Sequence, residues 1–425
     1  MYQMKFRPFV SIIALTYSLT VQAAEWSAEP KISLRTGYND NIRLTAAPHD
    51  SVWESALSPS VKFGVAQEHQ GLSGDARLSI RRFTGGDGRE SSDVLDREDY
   101  HFNTDAWHNT LRDSFKGNLD YTRDSTLDSE LDQTGNVVDD RATRDRFTLG
   151  PSWTRMLTEL TRLELSYQYT NVDYSDDPGI DDLVGYDYHV ASASLLRQLT
   201  PRTLGTLAVG FNSYLPDTDF DSDTITLQAG LTTNFSETLE ASVLAGQRET
   251  TSDSFIGTGI CVGADPGATF PSCTGGIAVP TGTTNTEVDT SSATYSASIT
   301  KTFETGSVSV SLSRSTNPSS DGELLDRTRA VLTGEHKFTE TLRTSLRVDY
   351  TENETIVNRV GFVSDPDTEK FFRVTPKIHW RWSREWSLTG EYQYATDDQA
   401  NADEATRNAV YVTLSYRPPK RSLSR

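Results

Sequence analysis

Over most of this chain every second residue is apolar. Before the turn Phe338-Thr-Glu-Thr-Leu342, Ala330, Leu332, Gly334, His336 and Phe338 alternate with Arg329, Val331, Thr333, Glu335 and Lys337. After it, Leu342, Leu346, Val348 and Tyr350 alternate with Arg343, Ser345, Arg347 and Asp349. A strand shows successive side chains to opposite faces, so this hairpin has one apolar face and one charged face. Phe235-Ser-Glu-Thr-Leu239 is a near-copy of the turn and joins two more alternating stretches.

The period of two predicts strands over 31–38, 53–67, 72–83, 99–111, 114–124, 143–156, 161–173, 186–198, 203–214, 223–235, 239–250, 291–303, 307–316, 326–338, 342–354, 370–382, 387–396 and 406–416. The stretches 99–111 and 186–198 alternate poorly. Pro151 and Pro376 each remove a ladder donor, which predicts local bulges there. Short connections such as Thr158-Glu-Leu160 and Thr200-Pro-Arg202 alternate strictly with long ones rich in Gly, Asn and Asp. The fold class this implies is all-β: a transmembrane, antiparallel, up-and-down β-barrel of about 18 strands. Its short turns are expected in the periplasm and its long acidic loops outside the cell. The even count then puts both termini in the periplasm. A soluble propeller, sandwich array or β-helix would not explain the alternation of short and long connections.

Residues 1–23 read as a signal peptide, with Lys5 and Arg7 before the apolar stretch Phe9 to Leu19 and Val21-Gln22-Ala23 as the cleavage site. The barrel is expected over 24–418, with a basic periplasmic tail over 419–425. The chain belongs by this reading in the outer membrane of a Gram-negative bacterium. A mean hydropathy of -0.52 is compatible with it, because only alternate residues of a barrel strand meet lipid. The 17 Tyr, 17 Phe and 7 Trp suit girdles at two membrane interfaces.

The formal charge of -20 argues against nucleic acid as a partner. Acidic residues crowd the long connections, as in the run Asp217-Thr-Asp-Phe-Asp-Ser-Asp223, while arginines favour strands. That run lacks the glycine and closing glutamate of a calcium loop, since Ser222 and Gln228 stand there. The expected partners are outer-membrane lipid, lipopolysaccharide and the barrel-assembly machinery. Cys261 and Cys273 share one connection, where they form either a disulfide or two free thiols. No G-x-S-x-G or H-E-x-x-H motif occurs, so the sequence gives no grounds for a catalytic site, a metal site or a cofactor.

If the apolar faces meet lipid, the lumen receives the charges. Arg327, Arg329, Arg343, Arg347, Arg373, Lys377 and Arg381 fall on three consecutive strands as a basic wall, and Glu335, Asp349 and Glu391 share their face. Two readings stay open: a ladder of ion pairs that stiffens the wall, and a lining that guides anions.

Gly37-Tyr-Asn-Asp-Asn-Ile-Arg-Leu44 and Val412-Thr-Leu-Ser-Tyr-Arg-Pro418 resemble segments of outer-membrane β-barrel proteins encoded beside exopolysaccharide synthesis and export systems. The resemblance implies a porin-like conduit for polysaccharide export, working with a periplasmic export protein. Alternatives are a solute-uptake porin and a non-conducting structural or adhesive barrel. The long connection 251–290 is the segment expected to fold inward as a gate.

Overall fold

The computed structural model describes residues 25–46, 49, 51–85, 95–127, 130, 142–175, 183–218, 221–262, 277–357, 368–399 and 403–424. Side chains of 254–261, 277–286, 357, 423 and 424 lie outside that description. The signal peptide and the Cys261–Cys273 pairing fall outside it too, as do most aspartates of the long connections.

The chain forms β1 (Glu25–Asn39), β2 (Val52–Ala66), β3 (Gln70–Gly85), β4 (Arg97–Asn109), β5 (Asp113–Ser125) and β6 (Thr143–Thr158). Next come β7 (Thr161–Tyr174), β8 (Tyr186–Thr200), β9 (Thr203–Pro216), β10 (Asp221–Ser236), β11 (Leu239–Val262) and β12 (Ile277–Phe303). The remainder are β13 (Gly306–Pro318), β14 (Leu324–Lys337), β15 (Leu342–Val357), β16 (Thr368–Trp380), β17 (Trp386–Gln399), β18 (Ala405–Tyr416) and β19 (Arg421–Ser424). From β1 to β18 each strand pairs antiparallel with its sequence neighbours, and β1 pairs with β18 from Ile32↔Tyr416 to Asn39↔Ala409. This closes an 18-stranded antiparallel barrel with no free edge.

The faces divide as the alternation predicts. On β10, Ile225, Leu227 and Leu231 are exposed, while Ser222 and Thr224 are buried. Leu207, Val209 and Phe211 on β9, Val308, Val310 and Leu312 on β13, and Val410 and Val412 on β18 are likewise exposed. These outward side chains form the belt that faces lipid. Near its short-turn edge, Trp382 stacks on Trp386 at 6.2 Å, and Trp386 lies 4.8 Å from Tyr416.

Several features differ from the sequence reading. Many strands run well past the span of about 9–11 residues that a membrane needs, so they carry acidic positions such as Asp221 and Asp223 into water as strand. No bulge forms at Pro151 or Pro376. The β6–β7 ladder skips from Leu149↔Tyr169 to Ser152↔Ser166, and β16–β17 skips from Val374↔Tyr394 to Lys377↔Glu391, with the register kept. Each proline removes one donor but needs no extra residue, so the ladder opens and closes again in phase. Register shifts occur elsewhere, beside short turns at Met156/Thr158, Gln198/Thr200 and Asn234/Ser236 and toward the long-loop end at Thr258/Gly259 and Leu324/Leu325.

The residues after β18 join the sheet. β19 pairs with Glu25–Ala28, and Lys420 Nζ reaches Glu29 at 3.3 Å, so β18 and β19 in line flank the whole of β1. The weakly alternating β4 and β8 are full barrel strands. On β8 the outward Asp187 accepts bonds from Tyr169 (2.7 Å) and Asn171 (2.9 Å), so polar groups on the outer face are satisfied by their neighbours.

Candidate functional site: a narrowed lumen with one basic wall

Three segments at the long-loop end pack against lumen-facing side chains. In the first, after β1, Leu44 lies against Phe371, Ala395 and Ala405, and Asn41 donates to the carbonyls of Thr45 (2.7 Å) and Thr406 (2.9 Å). Leu44 holds a left-handed backbone (φ 53°) that costs a non-glycine residue energy, and burial of its side chain offsets that cost.

The second segment follows β5. Leu127 packs with Val52, Phe83 and Leu95, and Glu130 meets the Arg144 guanidinium of β6 at 3.0 Å. Both side chains of this pair are 1% exposed, and Tyr174 donates to the same carboxylate at 2.8 Å.

The third segment joins β13 to β14. Leu324 contacts Val172, Tyr186 and Tyr214, so β14 is tied to β7, β8 and β9 across the barrel rather than along the sheet. Val184 N donates to Ser320 O at 2.7 Å, and Tyr214 Oη to Ser319 O at 3.4 Å. Gly322 adopts φ +77°, and a side chain there would stand 3.2 Å from the Val184 carbons, so glycine meets both the turn and the close approach. Behind this crossing segment, Ser222, Thr224, Thr250 and Ser252 are all but fully buried, and Arg248 pairs with Asp326.

The sequence reading gave the inward gate to 251–290. The structure instead continues β11 and β12 as a paired hairpin from Asp253↔Glu287 to Val262↔Ile277, and the crossing segment is 319–323. The ladder consumes the backbone groups that a lumenal loop would have to satisfy elsewhere.

The lumenal lining is uneven around the ring. From β10 to β13 it consists largely of hydroxyls bonded to one another: Ser222–Ser252 at 2.6 Å, Thr224–Thr250 at 2.9 Å and Thr300–Ser309 at 3.0 Å. From β14 to β16 it is basic. Arg347 holds Asp349 through two bonds of 2.7 Å, Arg329 donates to Asp349 at 2.8 Å, and Arg373 lies 3.8 Å away. Arg327 stands on the same inner face, 6% exposed, two residues from Arg329.

The wall divides into three groups. Arg329, Arg347 and Arg373 gather at Asp349, with Arg327 further along the same face. Lys377 pairs with Glu391 at 2.8 Å, and Arg35 of β1 approaches Glu391 at 4.0 Å. Arg343, 3.9 Å from Glu335, and Arg381 stand apart at the short-turn mouth. Arg35 was within reach of the sequence, because it alternates with the outward Ile32 and Leu34. Glu130 was not, because nothing periodic marks its side of the chain. Among the described residues, no group of His, Cys, Asp or Glu is placed to hold a metal.

Fold and lining together define a transmembrane β-barrel whose lumen is narrowed at one end. No protein-family model and no curated protein matches the chain, and the exopolysaccharide association implied by the resemblance finds no support. Among solved structures, the chain is similar to Pseudomonas aeruginosa OpdK, crystallised with vanillate, at 11% identity and a TM-score of 0.43, over 93% of this chain and 99% of that one. Acinetobacter baumannii OccAB4 is similar at 10% identity and a TM-score of 0.44, over 94% and 98%. P. aeruginosa OpdO is similar at 11% identity and 0.44, over 94% and 97%.

Proposed function

We propose that the chain is a porin-like conduit of the outer membrane for small anionic solutes, with its short turns in the periplasm. One observation carries this reading: segment 319–323 bridges from β14 to β7–β9, and the inner face of β14–β16 below it carries Arg329, Arg347 and Arg373 around Asp349. Positive charge beside a constriction acts at short range, where water screens it least, and it favours anions. Polysaccharide export fits less well than solute uptake. Three segments pinned to lumenal side chains stand where a polymer would thread.

Guiding and bracing can be separated with two solvent-open groups of the wall. Arg347 and Lys377 each have side chains 43% exposed, and each shares its carboxylate with another cation, Arg329 or Arg35. The double variant Arg347→Gln/Lys377→Gln is therefore expected to stay folded and to move the reversal potential across a salt gradient toward cation preference. An unchanged reversal potential in folded protein would remove the guiding role. Absence of any conductance in the unaltered protein would favour the structural or adhesive alternative.

A further inference from the structure

We propose that the short-turn mouth of the barrel carries a second, separate site that binds a multiply charged oxyanion of the phosphate class. It rests on the conduit reading only for its biological use, not for its existence. A cavity of about 270 Å³ opens there between β1, the β14–β15 turn, β15, β16, the β16–β17 turn and the residues after β18. Lys31, Arg343, Arg381, Arg384 and Arg417 line it with His379, against two carboxylates, Glu340 and Glu385.

The contrast with the wall above is in the pairing. Around Asp349 and Glu391 every basic group named has a carboxylate within 4.0 Å or shares a face with one. At the mouth, Lys31, Arg384 and Arg417 make no ion pair among the described residues, and the Arg381 guanidinium donates to the Glu340 carbonyl at 3.3 Å. Glu29, the next inward carboxylate on β1, is taken by Lys420 at 3.3 Å. Lys31 points inward beside the outward Ile32, half-buried, and shares the cavity with Arg417.

Concentrated like charge in a half-enclosed cavity raises the energy of the empty barrel, and an anion relieves it. Guanidinium groups from three elements present forked donors that match the oxygens of a tetrahedral oxyanion better than they match chloride. Ser415, Thr341 and Ser387 line the same cavity and add hydroxyl donors. The site lies at the opposite end of the barrel from the crossing segment, so an anion leaving the constriction, or arriving from the periplasm, would meet it independently.

The test is calorimetric titration of the full-length folded protein in detergent with inorganic pyrophosphate, against chloride as a control. Binding is expected to weaken at least about tenfold in Lys31→Gln/Arg417→Gln and to be unchanged in Arg347→Gln/Lys377→Gln. The single variants Lys31→Gln and Arg417→Gln, checked by heat-modifiable gel mobility, keep the test decisive if the double variant does not fold. No binding to the unaltered protein, or equal loss in the mouth and wall variants, would overturn the proposal. Anion-selective conductance without pyrophosphate binding would sink this site and leave the conduit reading standing. Pyrophosphate binding in a barrel that does not conduct would do the reverse.

Discussion

Glu130→Ala is expected to widen the conduit without unfolding it. The Glu130–Arg144 pair is the most completely buried ion pair described in the structure, with both partners 1% exposed. Removing one member of such a pair typically costs about 3–5 kcal/mol, because the remaining charge is stranded out of water. That cost need not fall on the barrel. Arg144 belongs to β6, whose ladders with β5 and β7 are unaffected, whereas Glu130 follows β5, where among the described residues Thr126 N donates to Ala142 O, the Thr126 hydroxyl accepts from Ala142 N, and Leu127 sits in its apolar cluster. The cheaper response is for the segment to lift off and let water reach Arg144. Single-channel conductance should therefore rise and become noisier, while the temperature of the heat-modifiable gel shift stays within a few degrees of the unaltered protein. Equal conductance in the two proteins would place the segment outside the solute path.

What the sequence revealed and what it hid follow from the same physics. A period of two separates inside from outside along any one strand, which is why Leu227 and Val310 could be set against lipid, and Arg373 and Asp349 against the lumen, without coordinates. Short Thr- and Glu-containing turns fix each hairpin locally, so the order of strands was also readable. Height along the barrel axis is different, because it depends on how each strand is staggered on the next. Arg329, Arg347 and Arg373 meet at Asp349 only because of two ladders, Val331↔Asp349 and Asp349↔Arg373. The same staggering left Arg343 and Arg381 at the mouth, apart from the group at Asp349. The inward segments were least legible. Ser319, Ser320 and Gly322 look like any polar turn, and their burial arises from contacts with Tyr214 and Val184, more than a hundred residues earlier.

Leu227→Arg is expected to be far more damaging than Gln228→Arg, one residue along. Leu227 is 66% exposed on the outer face of β10, flanked by the outward Val209 of β9 and opposite Gln247 of β11. Its neighbour points into the lumen, where Gln228 donates to Thr294 at 3.3 Å and sits opposite the side-chain-free Gly246. An arginine placed against hydrocarbon near the middle of a bilayer costs roughly 2–4 kcal/mol, while one in a wet lumen loses little hydration. The lumenal variant gives up one weak hydrogen bond between neutral groups, worth about 1 kcal/mol. Equilibrium unfolding of the two variants in liposomes should thus separate them by at least about 1–2 kcal/mol, with Leu227→Arg the less stable and the poorer folder. The size of the gap also measures depth, since the same substitution near an interface costs only about 0–1 kcal/mol. Repeating it at Ile225 and Leu231 on the same face would therefore locate the bilayer midplane along β10. Indistinguishable stabilities at positions 227 and 228 would mean that the outer face of this barrel does not meet lipid, and with that the transmembrane reading would fall.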